Sequence, residues 1–290
     1  MIRASLTRVL LAVTLACSAQ PVWAEQGAGS LAIVLPSQDA AQFRGAFNYE
    51  RAQAGPSPMM YPGGLGVLGF FVGVATHAAI VGGVREKQRS AAEAAGEAAL
   101  QAYRPVLEGI TNSALMRESL HSSHMAQVPE LVSSDAKPSV DWLMRIAPVF
   151  WFSTDQRAIV LEADIAVVKG EPAKAKWRQR VWLVSRPLPA EDLPSEAWIT
   201  ADGERLKRTT AGLLSMAYEL AMSQVLQDDA GDGAAPQRTI RYWEGGLQQI
   251  ERAQVLAQDD CGRVLIKTLR EELMSVPTKL GKEPSPGCER

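Results

Sequence analysis

The chain has 290 residues, 47% of them hydrophobic and 21% charged, with a formal net charge of −2. This balance describes a globular protein that buries one large core or two smaller ones, and it excludes a chain disordered throughout. No domain carries the concentrated basic face of a nucleic-acid binder, so nucleic acid is not an expected partner.

Residues 1–24 have the three parts of a secretory signal. Arg3 and Arg8 precede an apolar core from Val9 to Ala16, and Val22-Trp23-Ala24 is a small-residue cleavage site. The pattern predicts a mature chain that begins at Glu25 in the periplasm or cell envelope of a bacterium. Its net charge moves from −2 to −4, because the removed segment carries Arg3 and Arg8 and no acid. Two alternatives stay open: a retained amino-terminal anchor, for which the apolar core is short, and lipid attachment at Cys17 within Thr14-Leu15-Ala16-Cys17.

Residues 25–84 form the next region. Ser30 to Pro36 reads as a short buried strand ended by proline, a polar piece holds Phe43, Phe47 and Tyr49, and Ala52 to Pro62 with its three prolines reads as a loop. From Tyr61 to Val84 glycines and large apolar residues alternate without a Lys, Arg, Asp or Glu. Gly64, Gly66, Gly69 and Gly73 remove side chain from the backbone beside Phe70 and Phe71, which makes this run a surface for close approach by a membrane, a second copy or another envelope protein. Whether residues 63–84 span a bilayer or pack as a buried hairpin stays open, since His77 and the glycines oppose insertion. Gly64-Leu65-Gly66-Val67-Leu68-Gly69 also matches GxGxxG, but a proline-rich loop precedes it where a dinucleotide fold needs a strand. No cofactor is expected.

Residues 85–137 read as helical. Arg85 to Ala102 is built from strong helix formers, and Pro105 either kinks this helix or opens a second one, which continues through Val106, Leu107, Ile110, Leu115 and Leu120, with a linker between Pro129 and Pro138. In this region His121 and His124 stand three apart with Glu118 one turn earlier, too few ligands for an expected metal site. Ser134-Asp135-Ala136-Lys137 has Ser-x-x-Lys spacing, yet Lys267-Thr268-Leu269 lacks the glycine of the partner motif, and no catalytic residue is assigned.

Residues 138–277 change period to two. Trp142, Met144 and Ile146, then Val149 and Trp151, suggest one strand. The next places Ile159, Leu161, Ala163, Ile165 and Val167 on one face with Glu162 and Asp164 on the other, and returns through Lys169-Gly170-Glu171-Pro172 into a strand from Ala175 to Arg186. An odd-numbered loop about Gly170 would set Ile165 against Ala175, Ala163 against Trp177, Glu162 against Arg178 and Asp164 against Lys176, with Gly170 in a conformation that suits glycine. The basic row Lys174, Lys176, Arg178 and Arg180 then reads as a solvated ion-pair ladder or as a site for an anionic ligand.

After Pro187, Pro189 and Pro194, Glu204 to Gln227 reads as an amphipathic helix. A flexible connector from Asp228 to Pro236 leads to strands around Thr239 to Trp243 and Val255. A turn at Asp259 to Gly262 precedes a strand from Val264 to Leu269. The tail, residues 278–290, holds Cys288, which pairs with Cys261 in the expected disulfide, intramolecular or between copies. An intramolecular bridge would add roughly 3 kcal/mol in the chain-entropy picture.

The order predicts an α+β fold: a mostly antiparallel sheet of about five to six strands with two or three packing helices, after a cleaved signal peptide and a glycine-rich apolar segment. The expected function is that of an exported, non-enzymatic scaffold or binding module. The alternative is a soluble periplasmic ligand-binding domain or hydrolase with a Trp-lined apolar cleft beside Trp177 and Trp182.

Overall fold

The computed structural model describes residues 29–45, 94–125, 127–170, 175–227 and 235–280, so the signal segment, the glycine-rich run and Cys288 lie outside the described residues. The strands are β1 (Leu31–Val34), β2 (Phe43–Arg44), β3 (Glu130–Val132), β4 (Trp142–Phe152), β5 (Ile159–Lys169), β6 (Ala175–Val184), β7 (Arg238–Glu244), β8 (Leu247–Gln258), β9 (Arg263–Thr268) and β10 (Leu273–Pro277). Among the described residues five helical segments accompany them: α1 (94–100), α2 (Arg104–Leu107), α3 (Asn112–His121), α4 (Pro194–Ala197) and α5 (Thr200–Gln227).

All ten strands join one sheet in the order β3-β1-β4-β5-β6-β10-β9-β8-β7, with β2 also on β4. This corrects the expected five to six strands and two or three helices. The sheet is mostly antiparallel, as expected: β4-β5-β6 and β10-β9-β8-β7 are antiparallel runs joined by the parallel pair β6-β10, while the short strands β1, β2 and β3 enter in parallel. The sheet is continuous across Pro138.

The alternation of β5 divides the two faces. Ile159, Leu161, Ala163, Ile165 and Val167 are fully buried on the face covered by helices, while Asp164 is exposed on the other. β4 obeys the same period without a break, because Pro148 takes its place in the buried row between Ile146 and Phe150. Its missing N–H costs little: the neighbouring even-numbered amides point toward β1 and β2, as Trp142 N bonds Ser30 O and Phe150 N bonds Gln42 O, and Pro148 falls in the gap between those short strands.

The hairpin register differs from the expectation by two residues on each strand. Ala163 faces Val181, Ile165 faces Gln179, Glu162 faces Trp182 and Asp164 faces Arg180, with a bulge beside Val168 and Ala175. The observed register sets Leu161 against Leu183 and Ala163 against Val181, matching buried side chains along both strands. Gly170 does take a positive φ of 64°.

The expected second helix is also corrected. It breaks after Leu107, and α3 restarts at a new cap where Thr111 Oγ1 accepts a bond from Ala114 N at 3.2 Å. The expected linker contains β3.

On the helical face, α5 lies along β5 and β6 and α3 packs on α5. Leu206, Leu213, Leu214, Ala217, Tyr218 and Ala221 point into this core. On the opposite face, β7 to β10 curl over the end of the central strands, where Ile240, Tyr242, Ile266 and Met274 pack with Val160 and Val184 and with Trp151 and Trp182 at the margin. A third cluster on that face seats Ala136 and Val140 on Ala32, Val34, Val132 and Leu143.

Two joints fix the turn end of the β4-β5 hairpin. Asp155 accepts bonds from Ser153 Oγ at 2.7 Å, Arg157 N at 3.1 Å and Gly246 N at 2.6 Å, clamping this turn to the β7-β8 turn. Gln156, at a φ of 58°, is held by Tyr103, whose hydroxyl donates to Oε1 at 2.6 Å, and by Trp198, whose Nε1 donates to the backbone carbonyl at 2.7 Å.

Candidate functional site

The helical face is not fully covered. α5 shields β5 and β6, and beyond its edge an apolar groove of about 280 Å³ opens between Met216 and Leu220 of the helix and Leu183, Leu265 and Ser275 of the sheet, with Glu219 and Ser223 also lining it. The groove exists because β10 is inserted between β6 and β9, which extends the floor past the reach of a single helix.

Its polar groups hold structure together. Glu219 Oε1 accepts the backbone N–H of His124 at 2.7 Å and Ser215 Oγ at 3.4 Å. Ser223 Oγ donates to Leu220 O at 2.8 Å. Ser275 receives Arg263, whose Nη1 bonds both its carbonyl and its hydroxyl, and Nη2 of the same arginine donates to Val184 O. Burial away from water lowers the Arg263 pKa to about 10, with Asp259 opposing that shift. Beneath the helix, burial pushes the Tyr218 phenol well above its ordinary range. The arrangement therefore suits an apolar chain or ring seated against leucine and methionine, and presents no activated nucleophile with a free base.

The structure separates the two tryptophans of the expected cleft. Trp177 packs toward the helical core and Trp182 toward the opposite cluster, as residues five apart on one strand must. The aromatic residues of β4 divide in the same way: Trp142 and Phe152 join the helical core, and Trp151 joins Trp182 on the other side. Trp142 is flanked by Lys169 Nζ at 5.0 Å and Lys176 Nζ at 5.8 Å from the ring centroid, and Trp151 by Arg44 at 5.1 Å.

His121 Nδ1 lies 2.7 Å from Arg117 O, and no group of three or more His, Cys, Asp and Glu among the described residues could hold a metal ion. Ser134 Oγ donates to Asp135 Oδ1 at 3.0 Å. Cys261 stands in the β8-β9 turn, its carbonyl accepting Arg186 Nη2 at 3.0 Å, and its expected partner Cys288 lies outside the described residues. Gly64, Gly66, Gly69, Phe70, Phe71 and Gly73 lie outside them too. Among the described residues no helix is long and apolar enough to cross a membrane.

Sequence reasoning found the helical wall of the groove, since Met216 and Leu220 belong to the apolar stripe of α5, and missed its floor. Leu265 and Ser275 become neighbours only through β10, which carries five residues and too little alternation to announce itself. Neither a protein-family model nor a curated protein matches this chain.

Proposed function

We propose that this chain is an exported cell-envelope protein that works by binding, with the glycine-rich run at residues 61–84 as its membrane- or self-contact segment and the sheet and helices as its scaffold. The observation that supports binding over catalysis is the commitment of every polar side chain lining the groove to a hydrogen bond that holds the fold. Residues 61–84 contribute a stretch free of charge and rich in glycine, suited to close apolar contact. The test is vesicle sedimentation together with size-exclusion chromatography, comparing the native protein with Gly69→Leu. The native form is expected to pellet with vesicles or elute as an oligomer, and Gly69→Leu to lose that behaviour. A native protein that stays monomeric and in the supernatant overturns the contact role.

The groove supports a second reading, a soluble periplasmic domain that takes a small apolar ligand. Here a polarity-sensitive dye should bind saturably and be displaced by a medium-chain fatty acid, and Leu220→Gln should weaken both. Dye binding that Leu220→Gln leaves unchanged counts against it.

A further inference from the structure

The face opposite the helices is covered at two places and open between them. Strands β7 to β9 lie over the end marked by Trp151, Val160, Trp182 and Val184, and the segment holding Ala136 and Val140 lies over Leu143 and β1. Between these two covers the pairing aligns Arg145 with Ala166 and Ala166 with Arg178, while the adjacent row runs Ala147, Asp164, Arg180. All six side chains share this face, and all but Ala166 are exposed.

The three arginines are not equivalent. Arg180 is matched by acids: Nε lies 3.2 Å from Asp164 Oδ1 and 3.8 Å from Glu162 Oε1. Glu162 is further engaged, accepting Trp151 Nε1 at 3.0 Å. No acid among the described residues comes within ion-pair distance of Arg145 or Arg178. These two stand on either side of β5, about 10 Å apart by the spacing of strands, with only the methyl group of Ala166 between them. An arginine side chain spans more than half that gap, so both guanidinium groups can close on one tetrahedral oxyanion and donate paired N–H bonds to it.

We propose that Arg145 and Arg178 form a phosphate-binding clamp over Ala166, and that its occupant is a phosphate group on a soluble molecule. Charge complementarity selects the anion. The covers on both sides select its source, because a recessed strip admits a small or chain-like ligand more readily than the plane of a bilayer. Asp164 limits the clamp by holding Arg180 out of it. The proposal does not depend on export or on the apolar groove, which lies on the other face.

The test is titration of the purified full chain with inorganic pyrophosphate, followed by backbone amide shifts in NMR and by calorimetry. Saturable shifts centred on residues 145, 166 and 178 are expected. Arg145→Ala and Arg178→Ala should each weaken binding about tenfold or more, the loss that follows when one of two charge-assisted donors is removed. Asp164→Asn should tighten it severalfold by releasing Arg180. Arg238→Ala, an exposed arginine on β7, serves as the equal-charge control and should change nothing. The substituted side chains are on the surface, so circular dichroism should report a native fold in each. The proposal is overturned by the absence of site-centred shifts, by equal weakening in Arg238→Ala, by no gain in Asp164→Asn, or by binding confined to vesicles of anionic phospholipid.

Discussion

Replacing Gly203 by alanine tests how the long helix is anchored. α5 opens with three residues in the left-handed region, Ala201, Asp202 and Gly203 at φ of 53°, 56° and 71°, before the right-handed helix begins. A Cβ on Gly203 would collide with Val106 Cγ1 and lie 3.3 Å from Trp198 O. Val106 is a buried β-branched residue, so its methyl group has little freedom to retreat. An alanine there costs about 1–2 kcal/mol for its left-handed backbone and about 1–3 kcal/mol for overpacking, less about 0.5–1 kcal/mol from the stiffer unfolded chain. The expected net loss is about 1–4.5 kcal/mol. Gly212 supplies the control from the same helix: its Cβ would meet nothing within 4 Å, so Gly212→Ala should stabilise by about 0.5–1 kcal/mol. Urea unfolding followed by circular dichroism gives both values, and the double variant Gly203→Ala with Val106→Ala should lose less than the sum of its parts. A Gly203→Ala protein within about 0.5 kcal/mol of the native one, or strict additivity with Val106→Ala, would refute the steric reasoning.

The clamp at Asp155 should behave as a local lock. Asp155→Ala removes an acceptor for three donors, and about 1–3 kcal/mol should be lost, with faster hydrogen exchange at the Gly246 amide as its local signature. Alkaline titration should expose the buried Tyr103, whose pKa burial raises to about 12. The folded state keeps that proton between pH 10 and about 12 while the unfolded chain releases it, so the stabilisation is complete below pH 10 and disappears as pH climbs through about 12. Tyr103→Phe should flatten the decline of stability over that window. Arg263 acts with the opposite sign, because its lowered pKa makes the unfolded chain the better proton binder above pH 10. Finally, peptide mapping of the oxidised protein without reductant should recover a linked Cys261–Cys288 fragment, and a reducible dimer in its place would assign the bridge to two copies.

The parts of the fold that could be read in advance are those whose signal is a period. The inward row of β5, the helix that ends at Gln227 and the strand that follows the Gly262 turn announce themselves, because each alternates or repeats over many residues. The hairpin register could not be read from charge. Lys176, Arg178 and Arg180 recur every second residue, so a slip of two on each strand offers Asp164 another cation of equal quality, and the choice falls to Leu183 and Val181 in the core. β2 and β3 hold two and three residues, too few for any period, and they exist because β4 and β1 present free backbone along their flanks. The same reason hid the clamp: Arg145 and Arg178 are 33 positions apart in the chain and meet only through the observed register of β4, β5 and β6. The groove was hidden by β10, which pairs with its sequence neighbour β9 on one side and with β6, far from it in sequence, on the other.

The central claim, an exported protein that works at the envelope by binding, is tested most directly by fractionating bacteria that express the full chain. The steps are amino-terminal sequencing of the recovered protein, a carbonate wash of the membranes and protease added from the periplasmic side. The account predicts a chain beginning at Glu25, outside the cytoplasm and cleaved by that protease, released by carbonate if residues 61–84 make contacts between copies and retained if they hold to a membrane. An uncleaved chain in the cytosol, or a domain beyond Pro138 protected from the protease in intact spheroplasts, would contradict it.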